Sequence, residues 1–286
     1  MTKFGIVVDS SCDLQNVYPA QQNTEAVFCR VPLKLQVGDK VFVDDSSLDV
    51  GRFMGEMSAY SGKTSSAAPG PGEWCAAFER AEEIFAVTIS SKVSASYSSA
   101  VAARDIMLEK QPDKKIFVLD SKSAGPGLSL LVMKIKDLIA NGNTFEEIVE
   151  KIKIYQKSAH LFFVLESLDN LMKNGRVSKI QARLAGLLGI KILGFAGDEG
   201  TLEILEKCRG KLTAYKVMVD QMFKRGFKGS DVIISHCFNE ENAAYVHTLL
   251  KKAFPKSKIS IMPTGGLCSY YAEKGGLLLA FEGNER

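Results

Sequence analysis

Four compact apolar runs, each closing on polar residues led by an aspartate or a serine, constrain this chain more than anything else in it. They are Gly5-Ile6-Val7-Val8 before Asp9-Ser10, Phe85-Ala86-Val87-Thr88-Ile89 before Ser90-Ser91, Ile116-Phe117-Val118-Leu119 before Asp120-Ser121, and Asp231-Val232-Ile233-Ile234 before Ser235-His236. Short runs that stay apolar without alternating belong to strands covered on both faces, as in a parallel sheet. Their polar ends are expected to meet at one sheet edge, where ligands collect in open α/β sheets.

Helical patterns separate the runs. Pro71-Gly72 opens a stretch in which Trp74, Ala77, Phe78 and Ala81 keep helical spacing, and Thr144 stands as N-cap before Phe145, Ile148, Val149 and Ile152. From Leu161 the order changes. Residues 166–172 read as helical, Asn174-Gly175 breaks the pattern, and Ser178 caps a helix over 180–188. A strand over 190–195 then reaches the turn Gly197-Asp198-Glu199-Gly200, and residues 201–206 pair back as a hairpin. With 286 residues the chain is long enough for two modest domains. The expected fold is α/β: an N-terminal domain over 1–157 with a mainly parallel sheet and flanking helices, and a C-terminal domain over 158–286 with a mixed sheet and helices.

Composition removes several function classes. The net charge is +3 and Lys and Arg are scattered among acids, so basic pairs such as Lys114-Lys115 read as solvated surface and no nucleic-acid partner is expected. Met1-Thr2-Lys3 runs into an apolar stretch too short for a signal sequence and ends on an acid. The longest weakly polar stretch, 184–197, is interrupted by Lys191 and falls short of the ~20 residues that span a bilayer. The expectation is a cytoplasmic protein without an integral membrane segment. Six cysteines (Cys12, Cys29, Cys75, Cys208, Cys237, Cys268) show no paired spacing, and His160, His236 and His247 are not helical neighbours. Buried free thiols, no metal and no cofactor are expected.

Two phosphate-loop look-alikes fail. Gly62-Lys63-Thr64 has Met57 where a P-loop needs glycine, and Gly125-Pro126-Gly127 has Leu130 where a dinucleotide loop needs its third glycine, so the latter reads as a strand-to-helix turn. No Gly-x-Ser-x-Gly elbow occurs. The hydroxyl-rich segments Thr64-Ser65-Ser66 and Ser90-Ser91-Lys92-Val93-Ser94-Ala95-Ser96-Tyr97-Ser98 carry more information. The second joins a strand to the start of a helix, a junction that aims hydroxyls and free N–H groups at an anion. Neither segment has a base beside it, which points to binding rather than catalysis, with plain helix capping as the alternative. Asp9 and Asp120 read as caps or Asx-turns ahead of catalytic acids.

These residues resemble the DegV family. Val7-Val8-Asp9-Ser10-Ser11-Cys12-Asp13-Leu14 is similar to the family's opening, Thr64-Ser65-Ser66-Ala67-Ala68-Pro69 to its Thr-Ser-Gln-Pro-Ser-Pro segment, and Ile89-Ser90-Ser91-Lys92-Val93-Ser94-Ala95-Ser96-Tyr97 to its Ile-Ser-Ser-x-Leu-Ser-Gly-Thr-Tyr segment. Leu171-Met172-Lys173-Asn174-Gly175-Arg176-Val177-Ser178 resembles Leu-x-x-Gly-Gly-Arg-Ile-Ser. The resemblance implies a two-domain fold with a long-chain fatty acid in an apolar tunnel, handed to a separate ATP-dependent fatty-acid kinase subunit, so that this chain is not itself the catalyst. It implies that Thr64, Ser65, Ser94 and the N–H of Ala95 hold the carboxylate and that Arg176 and Arg209 face the kinase or the acyl phosphate.

The chain departs from that pattern in three places. Ala95 stands for glycine, Ala67 for proline, and Tyr271-Ala272-Glu273-Lys274-Gly275 for His-Thr-Gly-Pro-Gly, which makes Tyr271 the candidate ligand in place of histidine, with Tyr270 beside it. Candidate tunnel walls are Phe162, Leu165, Leu168, Leu184, Leu187, Leu188, Ile192 and Phe281, with plain core as the favoured reading for any one of them. The rival readings are an acyl-ester hydrolase using Ser94 or Ser10 and a regulatory module binding a small phosphate.

Overall fold

A computed structural model describes residues 2–18, 26–177 and 189–286 and arranges their strands in three sheets. In the first, β1 (Thr2–Asp9) lies between β2 (Ala26–Val31) and β6 (Ala81–Thr88), with β7 (Lys115–Asp120) outside β6 and every pair parallel. Ile6, Val7 and Val8 are all fully buried because the sheet is covered on both faces. Val7 packs with Trp74 and Phe78 of α2 (Pro71–Phe78) and Ala100 and Ala103 of α3 (Ser96–Lys110). Ile6 and Val8 pack with Leu131 and Ile135 of α4 (Pro126–Ala140) and Ile148 of α5 (Phe145–Ser158).

The local signals act as expected at most helix ends. Pro71 and Pro126 open their helices, and Thr144 forms a capping box, with its hydroxyl accepting from the Glu147 N–H and its own N–H donating to Glu147 Oε2 at 2.8 Å. Helix α2 stops sooner than the spacing predicts. Ala81 is not its last buried residue but the first of β6.

The second sheet is mixed. Its order is β10 (Leu202–Arg209), β9 (Ile190–Ala196), β8 (Ala159–Leu165), β13 (Leu277–Glu282), β11 (Val232–His236) and β12 (Ile259–Pro263). Only β11 and β12, joined through α8 (Glu240–Ala253), are parallel. The fourth apolar run is therefore β11 of this sheet and not a strand of the parallel one, although its Ser235 lies beside Asp13 in the segment that follows β1. The run is continuous because all five residues of β11 are buried, between α4 on one face and α7 (Lys211–Lys224) and α8 on the other. A continuous run reports two covered faces, not the direction of its neighbours. Helix α4 packs against both large sheets.

The third sheet is small and antiparallel. β3 (Lys34–Val37) pairs with β4 (Lys40–Val43) and with β5 (Thr64–Ala67). Gly38, at φ 59, makes the tight turn between β3 and β4. Near β5 lie α1 (Val50–Ala59), α6 (Asp169–Lys173) and α9 (Gly266–Ala272). No helix among the described residues is long and apolar enough to cross a membrane.

Candidate functional site

A cavity of about 250 Å³ lies where the three sheets approach one another. Its floor is one face of the mixed sheet. Leu161, Phe163 and Leu165 project into it from β8, joined by Leu278 of β13 and Leu202 of β10. Because side chains alternate along a strand, Phe162 and Phe281 face the other way. They stack on each other at 5.7 Å in the core formed with Met218 and Leu279, so of the two readings open for them, wall or plain core, they take the second. Leu165 does line the cavity, while Leu168 and Ile192 pack in the same apolar cluster without appearing in the lining. Leu184, Leu187 and Leu188, with the Ser178 cap, lie outside the described residues. Gly194 of β9 is required by Phe163: a Cβ there would sit 2.3 Å from the Phe163 ring.

Four polar or charged side chains line the cavity among the described residues: Ser66, Ser94, Arg176 and Tyr271, beside the buried thiol of Cys268. Ser94 and Ala95 sit in the loop that carries β6 into α3. This loop is held by the aspartates that end β1 and β7. Asp9, fully buried, accepts from the Ile89 N–H at 2.8 Å, the Ser96 hydroxyl at 2.6 Å and both the N–H and hydroxyl of Ser11. Asp120 Oδ1 accepts from the N–H groups of Ser91 and Lys122. Burial pushes Asp9 above the usual carboxylate range despite these donors. Both acids thus serve as anchors for the loop. Ser94 Oγ accepts from the Ser96 N–H at 3.2 Å, and Ala95, at φ −77 and ψ 2, occupies backbone space open to any residue. Alanine in place of glycine at this point carries no backbone strain.

The opposite wall is built by β5 and α9. Thr64 and Ser66 share one face of β5. The Thr64 hydroxyl meets the Tyr270 phenol at 2.8 Å and the Ser66 hydroxyl meets the Tyr271 phenol at 2.8 Å. Ser65 projects to the other face and is absent from the lining, whereas Ser66 is in it. Thr64 stands just behind the lining, and Tyr270, fully buried, also accepts from Asn174 Nδ2 at 2.8 Å. Burial raises the Tyr270 phenol's pKa, so it remains a neutral donor. The start of α9 is fixed from the segments that follow β4 and β1: Asp44 accepts from the N–H groups of Gly266 and Leu267 and from the Ser10 hydroxyl, and Asp13 accepts from the Gly265 N–H at 2.9 Å. The Asp9-Ser10-Ser11-Cys12-Asp13 segment therefore positions both walls.

Arg176 donates through Nε to the Val93 carbonyl at 2.9 Å and through Nη1 to the Asn174 carbonyl. It lines both the cavity and an open surface recess of about 400 Å³ that it shares with Lys92, Ser94, Ala95 and Ser98 at the start of α3. Arg209 is exposed at the end of β10, opposite Ile190, outside the lining of either space.

The two serines weighed as nucleophiles are placed as follows. Ser10 is buried and donates to Asp44, and Ser94 has no imidazole partner among the described residues. His160 bonds the Asn284 carbonyl, and His236 sits 3.9 Å from Glu240. Among the described residues no group of three His, Cys, Asp or Glu side chains could hold a metal ion. All six cysteines are free thiols, and burial drives the Cys12 thiol up to about 12. What the arrangement can do is hold an apolar chain against the mixed sheet while hydroxyls and a helix start receive an anionic end.

The DegV family model matches residues 3–282. A DegV domain-containing protein of Streptococcus pneumoniae strain R6 is 44% identical over 277 residues, 97% of this chain and 98% of the relative. Two solved structures are similar over their whole length. The fatty acid kinase (Fak) B3 protein of Streptococcus pneumoniae, loaded with linoleic acid, has a TM-score of 0.95 and 43% identity, covering 99% of this chain and 100% of that one. A DegV family protein of Eubacterium eligens, loaded with heptadecanoic acid, has a TM-score of 0.94 and 37% identity, covering 98% of this chain and 100% of that one.

Proposed function

The chain belongs to the DegV family, and from that premise we propose that it binds a long-chain fatty acid in the cavity and presents its carboxylate to a separate fatty-acid kinase subunit. One observation carries the reading: an apolar cavity whose polar side chains among the described residues are Ser66 and Tyr271, paired with each other, Ser94 at a helix start, Arg176 and the thiol of Cys268. The similar structures from Streptococcus pneumoniae and Eubacterium eligens hold fatty acids, and the first is a fatty acid kinase B protein. Residues 1–157 and 158–286 are taken as the two units that enclose the ligand.

Affinity comes from the tail. Burying a chain of ~16 carbons at about 0.8 kcal/mol per methylene releases on the order of 12 kcal/mol before ordering costs. The head group supplies orientation, because a desolvated carboxylate is costly unless it accepts hydrogen bonds. Ser94 Oγ–H, the Ala95 N–H and the Tyr271 phenol are the direct donors, with Ser66 as Tyr271's partner in place of Ser65. Thr64 contributes through the order of its chain: Asn174 donates to Tyr270, so a Tyr270 proton spent on Thr64 Oγ1 leaves the Thr64 proton for the carboxylate. Arg176, reaching both the cavity and the recess outside it, is the cation for the phosphoryl group, and exposed Arg209 is a contact for the kinase. Catalysis belongs to that partner, and the protein works in the cytoplasm without cofactor or metal.

The test is organic extraction and mass spectrometry of the purified protein beside a mock purification. About one long-chain fatty acid per chain is expected. A protein that arrives empty and ignores added fatty acid would sink the proposal.

A further inference from the structure

Glu273 stands at φ 55 and ψ 171, immediately after α9. That region of backbone space is open to glycine and strained for any residue with a Cβ. A glycine would end the helix here without strain, so the glutamate has to be explained by its side chain. The carboxylate crosses to the start of α6, where Oε1 accepts from the Ser167 hydroxyl at 3.0 Å and from the Asn170 N–H at 3.2 Å.

Helix α6 in turn holds the hydroxyl wall. Asn170 Nδ2 donates to the Tyr270 carbonyl at 2.8 Å, and Asn174 Nδ2 donates to the Tyr270 phenol, which meets Thr64. Asn174 also supplies the carbonyl that Arg176 binds. The Tyr270 and Tyr271 rings meet edge to face at 4.7 Å, so a shift of one moves the other. We propose that Glu273 is the positioning residue of the head-group site: it fastens the end of α9 to α6 and thereby sets where Tyr270, Thr64 and Tyr271 aim their hydroxyls. Glu273 does not touch the ligand. The inference rests on the fatty-acid reading above and adds the residue that orients it.

The experiment compares palmitic acid with its methyl ester, which keeps the tail and removes the charged head, in displacement titrations on the full chain. Wild type prefers the acid. Glu273→Ala loses about tenfold of that preference, the worth of one hydrogen bond to a charged group, while ester affinity stays within twofold. Glu273→Gln keeps the preference, because both donors converge on one oxygen that the amide reproduces. Glu273→Gly, free of backbone strain, melts above Glu273→Ala yet shows the same loss, which guards against misfolding as the cause. Equal weakening of acid and ester, unchanged preference in Glu273→Ala, or failure of the Gln variant to rescue overturns the positioning role. A wild type that binds acid and ester equally also overturns it, and one that binds neither overturns the fatty-acid reading itself.

Discussion

Replacing Asp13 with asparagine is expected to make the protein more stable at neutral pH. Asp13 is 3% exposed. Its Oδ1 takes the Gly265 N–H, while Oδ2 and the nearby Ser235 hydroxyl have no hydrogen-bond partner among the described residues. Burial pushes its carboxyl from the ordinary 3.8 up to about 6. A carboxyl whose pKa rises on folding gives stability that is complete below the unfolded value and lost as pH climbs through the folded one. Above pH 6 the folded chain therefore carries a desolvated charge that costs about 3 kcal/mol relative to a neutral side chain. Asparagine keeps an oxygen for Gly265 and places a neutral NH₂ where Oδ2 lies. Asp13→Asn should melt about 6 °C or more above wild type at pH 8. The gap should close by pH 4. Thermal melts of both proteins between pH 4 and 8 check this, and fatty-acid affinity at pH 8 should stay within twofold. An Asp13→Asn protein that is less stable at pH 8, or a gap that does not change with pH, would refute the reasoning.

His160 should act with the opposite sign: stacked on Phe281 and buried, its pKa falls to about 4, so its contribution is present above about pH 6.5 and is lost on acidification, by about 3 kcal/mol. In His160→Gln the acid-side slope between pH 4 and 6.5 should flatten, and urea midpoints across that window would show it. Ser94→Ala removes one proposed head-group donor and the acceptor for the Ser96 N–H, and should weaken fatty-acid binding about tenfold while costing about 1 kcal/mol of stability. Unchanged affinity in titration would remove Ser94 from the site. Leu165→Trp extends an indole into the cavity and should abolish co-purified lipid without loss of the fold, judged by extraction and circular dichroism; full occupancy would mean the tail lies elsewhere.

Much of the parallel sheet is legible in the sequence because burial on both faces leaves an unmixed apolar run, as in Ile6-Val7-Val8. The same logic misplaces β11, since topology is decided by α8 and the crossover it makes. The β3–β4 hairpin escapes notice although Gly38-Asp39 between short alternating segments is a hairpin signal. Ser94 and Ala95 can be read as a helix start facing a ligand, because a local junction creates them. Parity along β5 cannot be read that way: three hydroxyls in a row look alike until Gln36 is known to pair with Ser65 and Tyr271 with Ser66. Phe162 fails as a wall for the same reason. Asn174, Glu273 and Tyr270 act through contacts 96 to 206 residues apart, which no local pattern announces.

The anchoring of α9 by the segments that follow β1 and β4 has a bearing on synthesis. Asp13 and Asp44 wait for N–H groups 252 and 222 positions further along the chain. A ribosome-bound chain that stops before residue 265 can complete the parallel sheet, yet it leaves two buried carboxylates without those donors and lacks one wall of the cavity. Under the proposed function, lipid capture then waits until α9, which carries Tyr271, has been made.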